Sequence, residues 1–503
     1  MPHFHFDNSY ARELPGHAVA WKPAAVPAPH LLFLNRELAE ELGLDADALS
    51  GDDGAAVFSG NAVPEGAEPI AQAYAGHQFG GFAPQLGDGR ALLLGEVIDR
   101  HGHRRDIALK GSGRTPFSRS GDGKAAVGPM LRELLIGEAM HALGIPTTRA
   151  LAVVATGEPV FRDTPLPGAV LTRVAASHLR VGTFQFFAAR GELEALRQLA
   201  EYSIARHVPG LIGTPGRWLG LLRAVAERQA RLIAQWMNVG FIHGVMNTDN
   251  MTVSGETIDY GPCAFLEAYD PAAVFSSIDH RGRYAYGNQP HAARWNLARL
   301  AEALLPLMAD ADNQAEMHAA VAEVSALIDA FPALYDTALR RGQCAKLGLF
   351  DDAPADQAAS DALLIADWLA LLQRDRVDFT LAWRRLGDAA LSAEGSDAAL
   401  RALFADDPEI GAWLARWRAR TAIDGMAAYT RRQRMHAINP WVIARNHRVE
   451  EALAAATQGE LQPMQQLLAA LRRPFDQDPQ QEDAYAQPAP AAQTAAYQTF
   501  CGT

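Results

Sequence analysis

Hydrophobic positions fall into two regimes along the chain. Over the first 175 residues or so, apolar residues come in short runs punctuated by glycine, as in GRALLLGEVID, RRDIALKGSG and GAVLTRVAAS. Such runs predict strands joined by tight turns. One helix is expected among them, from about Gly128 to Leu143. From about residue 180 the spacing turns helical. Leu222, Val225, Ala226, Ile233, Trp236 and Met237 share one helix face, with Gly240 as a stop signal after it. Leu297, Leu300, Ala301, Leu304, Leu305 and Met308 repeat the pattern, which continues to about residue 470. The final segment, beginning PFDQDPQQEDAYAQPAPAAQ, is rich in Pro, Gln and Ala and has little to bury. The pattern therefore predicts an α+β chain with a strand-rich part (1–175), a mainly helical part (176–470) and a flexible tail (471–503).

A chain of 503 residues exceeds what one hydrophobic core usually serves, so two lobes are the expectation. With 49% hydrophobic and 20% charged residues it reads as globular, and a net charge of −13 argues against a general nucleic-acid partner. The start, MPHFHFDNSYARELPG, lacks the charged flank and apolar stretch of a signal peptide, and no apolar run approaches bilayer length. A cytoplasmic monomer without a membrane partner is expected. The three cysteines, Cys263, Cys344 and Cys501, are too scattered for a disulfide framework or a zinc site.

The chemistry begins at FIHGVMNTDN, residues 241–250. In the kinase pattern H-x-D-x-x-x-x-N, the Asp orients the nucleophile and the Asn holds a metal ion. His243 and Asn250 keep that spacing, but Val245 stands where the Asp belongs, while Asp249 precedes the Asn. The stretch MTVSGETI that follows reads as a short β-hairpin bringing Asn250 near Asp259. An amide oxygen and a carboxylate suit Mg²⁺, although such spacing by itself also makes an ordinary turn. Asp259-Tyr260-Gly261 resembles the kinase D-F-G metal motif.

Upstream, Gly87, Gly89 and Arg90 lie in QLGDGRALLLGEV, where glycines let backbone amides approach phosphate or simply form a hairpin. The next strand, DIALK, ends in Lys110, placed like a kinase phosphate-binding lysine. Its helix partner is Glu133 or Glu138, with Glu133 favoured by its distance from Lys110. Between lysine and helix, KGSGRTPFSRSGDGKAAVGP combines glycines with Arg114, Arg119, Asp122-Gly123 and Lys124, a composition suited to cradling a polyphosphate. Arg173 and Arg180 follow the strand GAVLT, as phosphate forks or as structural ion-pair partners.

The ordered set GDGR, DIALKGSGRTPFSRSGDGKA, RELLIGEAM, HGVMNTDN and IDYGP resembles the selenoprotein-O family of protein adenylyltransferases, over a stretch from QAYAGHQFGGF to NPWVIARNH. The resemblance implies a protein-kinase-like, two-lobed fold with an extended C-terminal lobe. It also implies an ATP bound in the reverse sense, so that AMP passes to a protein hydroxyl. On this basis Lys110, Asp122, Gly123, Arg173 and Arg180 hold phosphates, with Lys110 also paired to Glu133. Gly87, Gly89 and Arg90 line the nucleotide site, Asn250 and Asp259 bind Mg²⁺ or Mn²⁺, and Asp249 is the base. Uridylyl transfer from UTP is a variant of the same expectation. Family members often end in a cysteine or selenocysteine motif, whereas this chain ends Cys501-Gly502-Thr503, which leaves Cys263 as the candidate partner for Cys501. The rival readings are a kinase in which Asp249 replaces the missing Asp, and a non-catalytic nucleotide-binding scaffold. The presence of both Asn250 and Asp259 argues against the scaffold.

Overall fold

The computed structural model describes residues 2–350, 355–391, 393–404, 408–478 and 482–500. Its centre is an antiparallel sheet in which strands Ala18–Ala20, Ile70–Gln72, Ala91–Ile98, Arg104–Lys110, Pro165–Ala175, Arg149–Phe161 and His30–Leu34 lie side by side in that order. The short strand Ala125–Ala126 adds onto Pro165–Ala175. Successive side chains on a strand point to opposite faces, and here both faces are covered. Ala108, Val153 and Leu171 pack against Met130, Leu131, Leu134 and Leu135 of the helix Val127–Ala142. Their neighbours Ile107, Leu109, Val154 and Val170 pack on the other face against Leu38, Leu49, Val57 and Phe58. Double burial explains why these strands are continuous apolar runs rather than alternating ones.

The helices Ser9–Glu13, Arg36–Glu41 and Asp52–Ser59 correct the expectation of a single helix in this part. They are too short for 3.6-residue periodicity to stand out from the strand-like background.

Beyond Ala175 the chain is mainly helical. Arg217–Val239 ends at Gly240, whose φ of +75° supplies the left-handed cap, and leads directly into Phe241. Gln289–Met308 and the 33-residue helix Gln314–Lys346 pack around it. That long helix is long and apolar enough to cross a membrane by length and composition, so the reading that no run approaches bilayer length is amended. Pro332 lies within it, and its Val324, Leu327, Phe331 and Tyr335 are buried in the protein core. A second core gathers Trp368, Trp383, Trp413 and Trp417.

Two further expectations are corrected. Residues 251–258 form no hairpin. Thr252 bridges to Arg180 and Thr257 to Thr147, so each arm pairs outward rather than with the other. The tail beyond residue 471 is not free over its described part. Thr499 donates its N–H to the Phe275 carbonyl at 2.8 Å, accepts from Ser277 N–H at 2.9 Å, and its hydroxyl reaches the Pro262 carbonyl. Backbone pairing of this kind is independent of composition, which is why a polar tail could acquire it. Cys501 lies outside the described residues. Cys263 is buried, and Cys344 is partly so.

Candidate functional site

One cavity of about 1540 Å³ lies between the sheet and the helical part, and it gathers every residue that the resemblance assigns to the site, Gly87, Gly89, Arg90, Lys110, Asp122, Gly123, Glu133, Arg173, Arg180, Asp249, Asn250 and Asp259, while Arg114 lies outside its lining. At its centre is a knot of charge. Lys110, at the end of its strand, bonds Glu133 on the helix Val127–Ala142 and reaches Asp259 Oδ1 at 2.5 Å. Arg173 Nη1 donates to the same oxygen at 2.7 Å and stands 3.7 Å from Glu133. Arg180 Nη1 donates to Asp259 Oδ2 at 2.8 Å and to the Asp249 carbonyl at 2.5 Å. Burial pushes the Asp259 pKa up, but the charges of Lys110, Arg173 and Arg180 outweigh it and hold the carboxyl well below its usual range. Asp259 adopts φ of +65°, an unusual conformation for a residue with a side chain, here anchored by three cations.

Glu138, the other candidate partner for Lys110, faces elsewhere and pairs with Arg149 at 2.7 Å and Arg472 at 2.9 Å. Tyr260, where kinases carry Phe, is buried with its hydroxyl bonded to Thr147. Arg132 ties the helix to the segment after Asp259 by donating to the carbonyls of Gly261 and Cys263.

The loop of residues 111–124 forms one wall. Gly123 has φ of +70°, and a Cβ there would lie 2.1 Å from the Gly113 carbonyl oxygen. Gly87 also has positive φ, and a Cβ on it would strike the Phe117 ring. The Asp122 carboxylate is committed to Arg162, at 2.9 and 3.2 Å, and to the Lys124 N–H. These bonds let Asp122 fix the shape of the loop. Lys124 pairs with Glu158 at 2.8 Å, while Arg119 lines the cavity.

On the opposite wall, Val245 is a buried apolar side chain where a kinase keeps its Asp. Asn250 donates its Nδ2 to the Val245 carbonyl at 3.0 Å, which turns its amide oxygen the other way. The buried Asp249 carboxylate accepts from Gln78 Nε2 at 3.1 Å through Oδ2, while its Oδ1 has no hydrogen-bond partner. Burial raises its pKa to about 6. Asn250 and Asp259 offer the hard oxygen donors that Mg²⁺ or Mn²⁺ takes alongside nucleotide phosphates, so this donor set fits a phosphate-bridging cation. Among the described residues no cluster of three or more His, Cys, Asp or Glu side chains forms a protein-only metal cage.

Several cavity residues were not legible in the sequence. Asp88, between Gly87 and Gly89, is buried, and burial raises its pKa to about 6. Its carboxylate accepts the Gln72 N–H at 3.0 Å. Tyr74 lies under the Arg180 guanidinium at 4.9 Å. Behind the cavity lining, the buried His178 meets Arg173 Nε at 3.2 Å. The glycines flanking Asp88 were the available signal. Tyr74, Gln78 and His178 carried none.

Comparison with known proteins shows the family. The sequence profile described as protein adenylyltransferase SelO matches residues 3–472. The chain is 60% identical over 502 residues to a protein nucleotidyltransferase YdiU from Cereibacter sphaeroides, covering 99% of this chain and 100% of that protein. It is 59% identical to the protein of the same name from Chromobacterium violaceum, covering 96% and 99%, and 56% identical to that from a Mycobacterium species over the full length of both. The chain belongs to the protein adenylyltransferase SelO family.

Proposed function

We propose that this chain transfers AMP from ATP to hydroxyl groups of proteins, on a two-lobed kinase-like frame in which the sheet and the helical part close around the nucleotide. The observation that carries the reading is the pairing of Val245, apolar where a kinase base would stand, with Asp249, a carboxylate in the same cavity as Asn250, Asp259 and three converging cations. Lys110, Arg173 and Arg180 bind the phosphates, and the loop 111–124 encloses the far end of a triphosphate held in the reverse sense. Gly87, Gly89 and Arg90 border the nucleotide, while Glu133 fixes Lys110.

Asn250 and Asp259 would hold Mg²⁺ or Mn²⁺, which would neutralise phosphate charge when bound. The acceptor hydroxyl oxygen attacks the α-phosphorus as the bond to the β-phosphate oxygen breaks. Pyrophosphate leaves, and the hydroxyl proton passes to Asp249.

The test supplies Mg²⁺ and ATP labelled at either the α- or the γ-phosphate, with the enzyme itself and a cell lysate as acceptors. Label enters protein from the α-position only. Incorporation of γ-label would make the chain a kinase with a displaced base, and incorporation of neither with Mg²⁺ or Mn²⁺ would favour a scaffold. Asp249→Asn is expected to slow transfer by about 10²–10⁴-fold with ATP affinity unchanged, as measured by initial rates and nucleotide titration.

A further inference from the structure

Strands Gly76–Gln78 and Gly81–Ala83 form a small hairpin separate from the main sheet, and it lies against the loop that carries Asp249. Three consecutive hairpin residues grip three consecutive loop residues. The His77 N–H donates to Thr248 Oγ1 at 2.7 Å, Gln78 Nε2 donates to Asp249 Oδ2 at 3.1 Å, and the Phe79 N–H donates to Asn247 Oδ1 at 3.1 Å. Phe79 adopts φ of +50°, a strained conformation for an aromatic residue, while making this contact. The grip is braced from behind. Gln185 accepts from the Thr248 hydroxyl at 2.6 Å and meets His77 Nδ1 at 2.8 Å, and the Tyr284 hydroxyl donates to Asn247 at 2.7 Å. Gly76 completes the fit, because a Cβ at that position would lie 2.3 Å from Asp249 Oδ1.

A carboxylate on a short loop has two free torsions, and a hydrogen bond to one oxygen with close backbone packing on the other removes that freedom. Among the described side chains, Gln78 alone donates a hydrogen bond to this carboxylate. It also lines the cavity beside Asp249. We propose that Gln78, held by the hairpin, is a positioning residue that orients the Asp249 carboxylate toward the incoming protein hydroxyl, with Gly76 closing the other side. This rests on the reading of Asp249 as the base.

The experiment is a double-mutant cycle on the full-length protein, with transfer of α-label from ATP as the readout. Gln78→Met keeps the size of the side chain but removes the donor. It is expected to lower kcat by about 10- to 100-fold, with KM for ATP and the thermal midpoint unchanged. In the Asp249→Asn background the same substitution is expected to have no further effect, which a merely structural role for Gln78 would not produce. Gly76→Ala is expected to reproduce the kcat loss by displacing the carboxylate, and if that variant does not fold, Gln78→Met alone decides.

Unchanged kcat in Gln78→Met while Asp249→Asn is slow would overturn the proposal, as would equal losses in both backgrounds or a parallel loss of ATP affinity. If Asp249→Asn itself retains full turnover, it is the assignment of the base that has failed.

Discussion

Asp259 does two things with one carboxylate. On the proposed function it offers oxygen to a cation, and in the structure it neutralises Lys110, Arg173 and Arg180, all buried. Removing a partner from a buried ion pair leaves charge uncompensated. Asp259→Asn, which keeps the volume, is therefore expected to abolish metal-dependent transfer and also to cost on the order of 3 kcal/mol of stability, read as a lower thermal midpoint. Glu133 tempers the loss because it still faces Lys110 and Arg173. Residues of this kind were legible in the sequence because each sits at a fixed offset from a strand, helix or loop. The choice between Glu133 and Glu138 shows how far such offsets reach. Five residues along a helix turn the side chain by about 140°, so only one of the two can face the strand carrying Lys110. Gln78 lay beyond that reach, since its partner Asp249 is 171 positions away and no local pattern links them.

Among the elements, the loop 111–124 depends on glycine more than on charge. Gly123 combines a left-handed backbone with contact against Gly113. Gly123→Ala is expected to force the loop open and weaken ATP binding about tenfold or more, with the sheet intact, as nucleotide titration alongside circular dichroism would check. The glycine-rich composition announced such a loop. It did not reveal that the Asp122 carboxylate, at the cavity wall, is paired with Arg162, because that pairing needs the strand Arg149–Phe161 to run alongside. At the end of the long helix Gln314–Lys346, Lys346 is buried, with its ammonium position 4.9 Å from the Trp383 ring centre. Burial lowers its pKa from 10.5 to about 7. Between those values the unfolded chain holds a proton that the folded chain lacks, so raising the pH through that window stabilises the fold, by up to about 1.4 kcal/mol per unit. Lys346→Met is expected to remove this component of the pH dependence, which urea titrations near pH 7.5 and 9 would measure.

At the scale of the whole molecule, the charge knot is also a seam. Lys110 and Arg173 belong to the sheet, Glu133 to the helix packed on it, and Asp259 to the segment that follows the helical part's Asn250 loop. On the proposed function a metal ion takes the oxygens of Asp259 and a triphosphate takes the three cations, and in this structure these same groups pair with one another. Each ligand must therefore take the other's partner, and in doing so it vacates the other's site. Thermodynamic linkage makes the effect reciprocal: whatever factor ATP adds to the affinity for Mg²⁺, Mg²⁺ adds to the affinity for ATP. Calorimetric titration in both orders is expected to give one shared coupling of roughly 1–3 kcal/mol, and Asp259→Asn to erase it. Independent affinities in the unaltered protein would contradict this account. On that reading metal-free nucleotide is expected to bind more weakly than its metal complex before any chemistry begins, because Asp259 already engages the cations that the phosphates need.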